Sequence, residues 1–144
     1  METAPLMPAD ETLLDHATDL NRETFDPEFF DGAHIVAASV RTADGAFHDG
    51  VSLPASIGRA STCAEPGALS TAIAAGNDRE DIEACVAVAY PMADHETDEQ
   101  RPIPPCGVCR EMLADYNPEM RVIVPIDGEV RTVRTRDLLP VRPW

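Results

Sequence analysis

Cys63 and Glu65 stand two residues apart in Thr62-Cys63-Ala64-Glu65, and Cys106 and Cys109 flank a dipeptide in Pro105-Cys106-Gly107-Val108-Cys109-Arg110. Two cysteines three positions apart at the start of a helix put both sulfurs on one side, where they can grip a single zinc ion, with Cys63 as the third ligand. Three protein ligands leave the fourth tetrahedral position for water, the arrangement of a catalytic rather than a structural zinc. Glu65 is then near the metal without being needed to bind it, and suits a general base that later acts as general acid. The chemistry this equipment suits is hydrolytic attack by metal-activated water. Three thiolates around a divalent ion leave a negative site. Two helix amino termini, each worth about half a positive charge, offset part of it. Arg110 and Arg59 are expected to donate hydrogen bonds to the sulfurs.

These residues need elements to hold them. Asp10 followed by Glu11, Leu13, Leu14, Ala17 and Leu20 reads as an amphipathic helix capped by Asp10, with an ordinary solvated polar face. The stretches His34 to Val40 and Phe47 to Leu53 flank Asp44-Gly45 and predict a hairpin. From Cys63 to Ala75 the spacing of Leu69, Ala72, Ile73 and Gly76 places small apolar groups on one face of a helix that packs closely on something flat. The run Ala84 to Tyr90 has the continuous apolar character of a strand buried on both faces, and Cys85 within it reads as a core residue. A helix from Cys106 to Tyr116 follows, with Cys109, Met112, Leu113 and Tyr116 on one stripe. Arg121 to Pro125 and Glu129 to Val133 flank a second hairpin turn at Ile126-Asp127-Gly128, and a short last helix covers Arg136 to Leu139. This order of four helices and five strands argues for an α/β fold with a mixed sheet and a crossover through the Cys106 helix.

The whole chain, 144 residues with 44% hydrophobic content, suits one domain over residues 1–144. No apolar run reaches the roughly 20 residues of a membrane span, and the acidic start is unlike a signal peptide, so a cytoplasmic protein is expected. The basic residues are 11, all arginine, against 26 acidic ones, for a net charge of −15. Such a surface repels phosphate backbones and anionic membranes, so neither nucleic acid nor membrane is expected as a partner. The absence of lysine, the acidic stretches Asp78 to Glu83 and Asp94 to Glu99, and 5% aromatic content read as adaptation to high salt, with an arginine-biased genome as the alternative.

The Cys-Ala-Glu and Pro-Cys-Gly-Val-Cys-Arg segments together resemble the cytidine deaminase family, in its small branch with three cysteine ligands. The similarity runs over essentially the whole chain, to the Leu138-Leu139-Pro140 ending. The resemblance implies a three-layer α/β/α sandwich with a five-stranded mixed sheet, a homotetramer, and a small-molecule substrate. It makes Cys63, Cys106 and Cys109 the zinc ligands and Glu65 the proton shuttle, assigns the Ala64 N–H to the ring carbonyl, and turns the Pro105 carbonyl toward the leaving amine. Free-nucleoside deaminases resemble the antiparallel last strand pair expected at Asp127-Gly128, whereas tRNA- and DNA-editing relatives insert a helix there.

This chain departs from the family at the substrate. Nucleoside-binding members carry Asn-x-Glu-Asn, whose first Asn and Glu hold the ribose; counted back from Cys63, those positions are Ser52 and Pro54 here. The phenylalanine that packs on the pyrimidine aligns with Ala33, with Phe29, Phe30 and His34 as nearby substitutes, and Pro66 replaces an arginine. The antibiotic-modifying branch that acts on blasticidin S also lacks that arginine and ends in Leu-Leu-Pro followed by tryptophan, as Trp144 follows here. Cytidine, a modified cytosine nucleoside or another aminated heterocycle all suit the site. Three rival readings are a structural zinc, which requires a fourth ligand from Cys85 or from His16, His34, His48 or His95; a thiol redox protein, which explains neither Cys63 nor Glu65; and an inactive binding module, which Glu65 argues against.

Overall fold

The apolar run at Ala84 becomes the centre of the molecule. In the structure, a computed structural model describing residues 1–93 and 97–142, Ile82–Ala89 forms β3, buried along its length except at Glu83. Trp144, His95 and part of the acidic stretch 94–99 lie outside the described residues. β3 pairs antiparallel with β1 (Val36–Thr42) and parallel with β5 (Arg121–Ile126). β1 pairs antiparallel with β2 (Phe47–Val51), and β5 with β6 (Glu129–Arg134), giving the order β2-β1-β3-β5-β6. Both expected hairpins form: Gly45 has φ 84°, and Asp127 and Gly128 turn with φ 51° and 84°, the positive pair a two-residue hairpin requires. A short sixth strand, β4 (Arg101–Ile103), pairs with the carboxyl-terminal end of β3 and escapes sequence reading because Pro102 lies at its middle. Its position matters, since it delivers Pro104-Pro105 and then Cys106.

Alternation along β3 separates the two faces. Ala84, Val86 and Val88 join Ile123 against Leu13 and Ala17 of α1 (Pro8–Thr24). Cys85 and Ala87, with Ala38, Val40, Val122 and Val124, meet Ala68, Leu69 and Ala72 of α2 (Glu65–Ala74), Leu113 of α3 (Gly107–Tyr116) and Leu138 of α4 (Thr135–Leu138). The result is a three-layer α/β/α sandwich around a mixed sheet. No helix of the described residues is long and apolar enough to cross a membrane.

Three expectations are corrected. Asp10 is the third residue of α1 rather than its cap: its carboxylate accepts the Met7 N–H at 2.8 Å, and it is fully buried, ion-paired with Arg41 at 3.3 Å and with Arg121. A buried carboxylate needs such partners, so this turn of α1 is an inward anchor. Ile73 is 39% exposed, while Ala68, Leu69 and Ala72 form the inward face, because α2 presents its smallest residues to the sheet. Tyr116 of α3 is likewise exposed at the groove beside Ile73, whereas Met112 lines that groove and packs against the core.

That close packing has one origin. A methyl group on Gly50 of β2 would stand 2.4 Å from the Ala64 carbonyl oxygen and 2.4 Å from the Ala68 nitrogen, distances real side chains do not reach. Gly67 faces it from α2, where a methyl group would stand 3.2 Å from the Gly50 Cα. Two glycines thus let strand and helix touch backbone to backbone, and this seats the residues just before α2 against the sheet.

Candidate metal centre

Two helix amino termini converge on the sulfurs. Cys106 is the cap of α3, extended at φ −68° and ψ 171°, and the N–H groups of Val108 and Cys109 in the first turn approach its sulfur. Cys63 lies two residues before α2, held by a ladder between Leu53 and Thr62, whose N–H and carbonyl groups bond mutually at 3.0 Å. The Cys63 and Cys106 sulfurs are 3.4 Å apart, and those of Cys63, Cys106 and Cys109 all lie within 4.8 Å of one another. Sulfurs at about 2.3 Å from a tetrahedral zinc stand somewhat under 4 Å apart, so this set fits one ion. Among the described residues no other group of three such side chains comes together. Cys85 is buried in β3, as expected, and outside the set, so the described residues give a structural zinc no fourth ligand.

Electrostatics point the same way. For Cys63, burial and the neighbouring Cys106 thiol push the pKa up. For Cys109, burial followed by the nearby Glu65 carboxylate pushes it far up. For Cys106, burial raises the pKa, but the Cys109 and Val108 N–H groups together with the other two thiols outweigh it, and the net direction is down. Three thiols this close do not ionise together unaided. A divalent cation reverses that, since a coordinating thiol loses its proton outright.

Glu65 opens α2, is 4% exposed, and has its pKa raised by burial, with its own N–H and the Cys109 thiol opposing. Its carboxylate therefore sits beside the sulfurs. Ala64, the α2 cap, is fully buried. Pro105 is buried, and its carbonyl accepts the Arg110 Nε–H at 2.8 Å. Arg110 also reaches the Leu138 carbonyl at 3.4 Å, so it braces the entry to α3 instead of donating to the sulfurs as expected. Ser52 extends the β1–β2 ladder: its N–H donates to the Val36 carbonyl and its Oγ accepts the Val36 N–H.

Sequence reasoning left one neighbour without a firm role. His34 lies 18 positions from Ser52, yet its Nδ1 is 2.9 Å from the Ser52 carbonyl oxygen. Its backbone is left-handed, φ 57°, and no periodicity signals that.

No family model matches the chain. Two characterised proteins are similar over most of their length. A blasticidin-S deaminase of Bacillus cereus is 34% identical over 112 residues, 78% of this chain and 79% of that protein. A cytidine deaminase of Halalkalibacterium halodurans is 31% identical over 107 residues, 73% of this chain and 74% of that protein. Among solved structures, the cytidine deaminase of Burkholderia pseudomallei superposes with a TM-score of 0.70 at 27% identity, covering 90% of this chain and 95% of that one. The cytidine deaminase of Bacillus anthracis shares the fold, with a TM-score of 0.72 at 21% identity over 92% of this chain and 88% of that one.

Proposed function

The chain belongs to the cytidine deaminase family, and on that footing we propose that it is a zinc-dependent hydrolase that exchanges the exocyclic amino group of a small cytosine-type nucleoside, or a related aminated heterocycle, for oxygen. The observation that carries this reading is the cluster of three thiols beside a buried carboxylate at two facing helix starts. Cys63, Cys106 and Cys109 would hold the zinc. When bound, that ion supplies a hydrolytic nucleophile from water at neutral pH. Glu65 moves the protons: it takes one from the attacking water, passes it to the ring nitrogen, and later delivers one to the departing amine, so that substrate and water leave as the oxo product and ammonia. Its burial supports this, because a carboxylate with a raised pKa holds a transferable proton closer to neutral pH. The Ala64 N–H is assigned to the ring carbonyl, and the Pro105 carbonyl, with one lone pair already used by Arg110, to the leaving amine. Ser52 is assigned to the rest of the substrate.

The blasticidin-S deaminase of Bacillus cereus, at 34% identity, favours a second reading in which the substrate is that antibiotic or a compound like it. Assembly as a homotetramer belongs to the proposal, and the apolar groove of Pro66, Leu69, Ile73, Met112 and Tyr116 between α2 and α3 supports it as a contact surface. A small free substrate, with neither nucleic acid nor membrane as partner, agrees with the charge of −15.

The test is ammonia release from a panel of cytidine, deoxycytidine, blasticidin S, aminopurine nucleosides and the free bases, with zinc counted per chain. Turnover of at least one compound is expected. Glu65→Gln should keep its zinc and lose at least about a hundredfold in kcat, the contribution of a positioned general acid–base. Cys106→Ser should lose the zinc. A zinc-loaded wild type inert on the whole panel, or a Glu65→Gln variant with retained turnover, overturns the reading.

A further inference from the structure

We infer that His34 is a specificity-determining contact for the substrate, its Nε2 accepting a hydrogen bond from a hydroxyl on the neutral substituent that the ring carries; this rests on the deaminase reading above. The Ser52 carbonyl oxygen 2.9 Å from His34 Nδ1 can only accept, so Nδ1 carries the proton and the lone pair of the neutral ring is on Nε2. With Nδ1 against that wall, the opposite ring edge is the one offered outward. It borders a cleft of ≈ 240 Å³ whose other walls include Ser52, Leu53, Pro54, Ser61 and Thr62. Thr62 on its wall immediately precedes Cys63, the first of the three thiols.

The chemistry of the cleft selects its occupant. None of the residues that line it carries a fixed charge. A phosphate there would find no cation, and an ammonium or guanidinium no carboxylate, so an ionised substituent would be desolvated without a partner. What the walls offer is one neutral acceptor, Nε2, and the Ser52 hydroxyl, whose oxygen takes the Val36 N–H at 3.0 Å and whose proton remains to donate. A hydroxyl group satisfies both.

The backbone supports a built position. His34 has φ 57°, and the turn before it holds Phe30 at 53° and Asp31 at 54°, conformations that side-chain-bearing residues rarely adopt. The turn is closed by paired bonds between Asp26 and Ala33 at 3.0 and 2.7 Å, and the Asp26 carboxylate accepts the Glu28 and Phe29 N–H groups at 2.9 and 3.1 Å. Strain persists where the surroundings over-determine it, and such places gather at ligand clamps.

The test compares cytidine with 2′,3′-dideoxycytidine in the wild type and in His34→Asn. Asparagine tolerates the left-handed backbone and keeps an amide N–H where Nδ1 was, but has nothing at Nε2. In the wild type KM should be about tenfold lower for cytidine, the worth of one hydrogen bond. In His34→Asn the two KM values should converge, with kcat within about twofold and an unchanged melting temperature. A purely structural pin predicts convergence in neither. Equal KM values in the wild type overturn the inference whether or not the variant folds, and a tenfold ratio that survives in a folded His34→Asn overturns it too. Turnover confined to panel compounds with ionised or missing substituents overturns it while sparing the deaminase reading, whereas a wild type inert on every compound removes both.

Discussion

Glu65 differs from the other carboxylates of this acidic chain by being 4% exposed next to three thiols. Its raised pKa makes a prediction that needs no substrate. In metal-free protein the folded state holds the Glu65 proton to a higher pH than the unfolded chain, whose glutamates titrate near about 4.3. The stability this residue lends is therefore complete below the unfolded value and is lost as the pH climbs through the folded one. Glu65→Gln cannot ionise and so escapes the loss. Thermal unfolding of the metal-free pair should give equal melting temperatures at low pH and a higher one for Glu65→Gln at neutral pH; the reverse order at neutral pH would show the carboxylate to be better solvated than its burial implies. Ser52 and Pro54 mark the other notable change at this scale, since neither supplies a negative acceptor, and His34 stands across the same cleft.

At the scale of elements, the site exists because α2 can lie on β2 with no side chain between them. Gly50→Ala would drive a methyl into the Ala64 carbonyl and the Ala68 nitrogen. Backbone on both sides leaves no flexible atom to give way, so α2 must shift and take Cys63 and Glu65 with it. Overpacking of this kind costs about 1–3 kcal/mol. We expect a lower urea midpoint together with weaker zinc retention under a competing chelator; a variant that loses stability but keeps zinc as tightly would separate the α2 contact from the metal centre. On the opposite face, Asp10 ties α1 to β1 through Arg41 and to β5 through Arg121, and His16 ties it to β2 through Asp49 at 2.8 Å, whose carboxylate also takes the Ser39 hydroxyl at 2.7 Å.

Over the whole molecule, eleven arginines cannot neutralise twenty-six carboxylates, and a net charge of −15 repels itself in the compact state. Salt shortens the reach of that repulsion from roughly 10 Å at 0.1 M to roughly 3 Å at 1 M. If the composition is an adaptation to high salt, the melting temperature should rise steadily with potassium chloride from 0.1 to about 2 M; a flat response would leave only arginine bias to explain the missing lysines. Much of this molecule is legible in the sequence alone. Cys63, Glu65, Cys106 and Cys109 declare themselves through local spacing, and β3, both hairpins and the three long helices through periodicity and turn chemistry, because each depends on residues close in the chain. Asp10 looked like a helix cap and Ile73 like core, since a lone pattern cannot say which neighbours an element meets. The burial of Asp10 between two arginines, the meeting of Gly50 with Gly67, the single 4.8 Å cluster of sulfurs and the His34–Ser52 contact all join residues distant in sequence. Only the packing of helices on a sheet decides such contacts, because long-range proximity leaves no periodic trace in the chain that makes it.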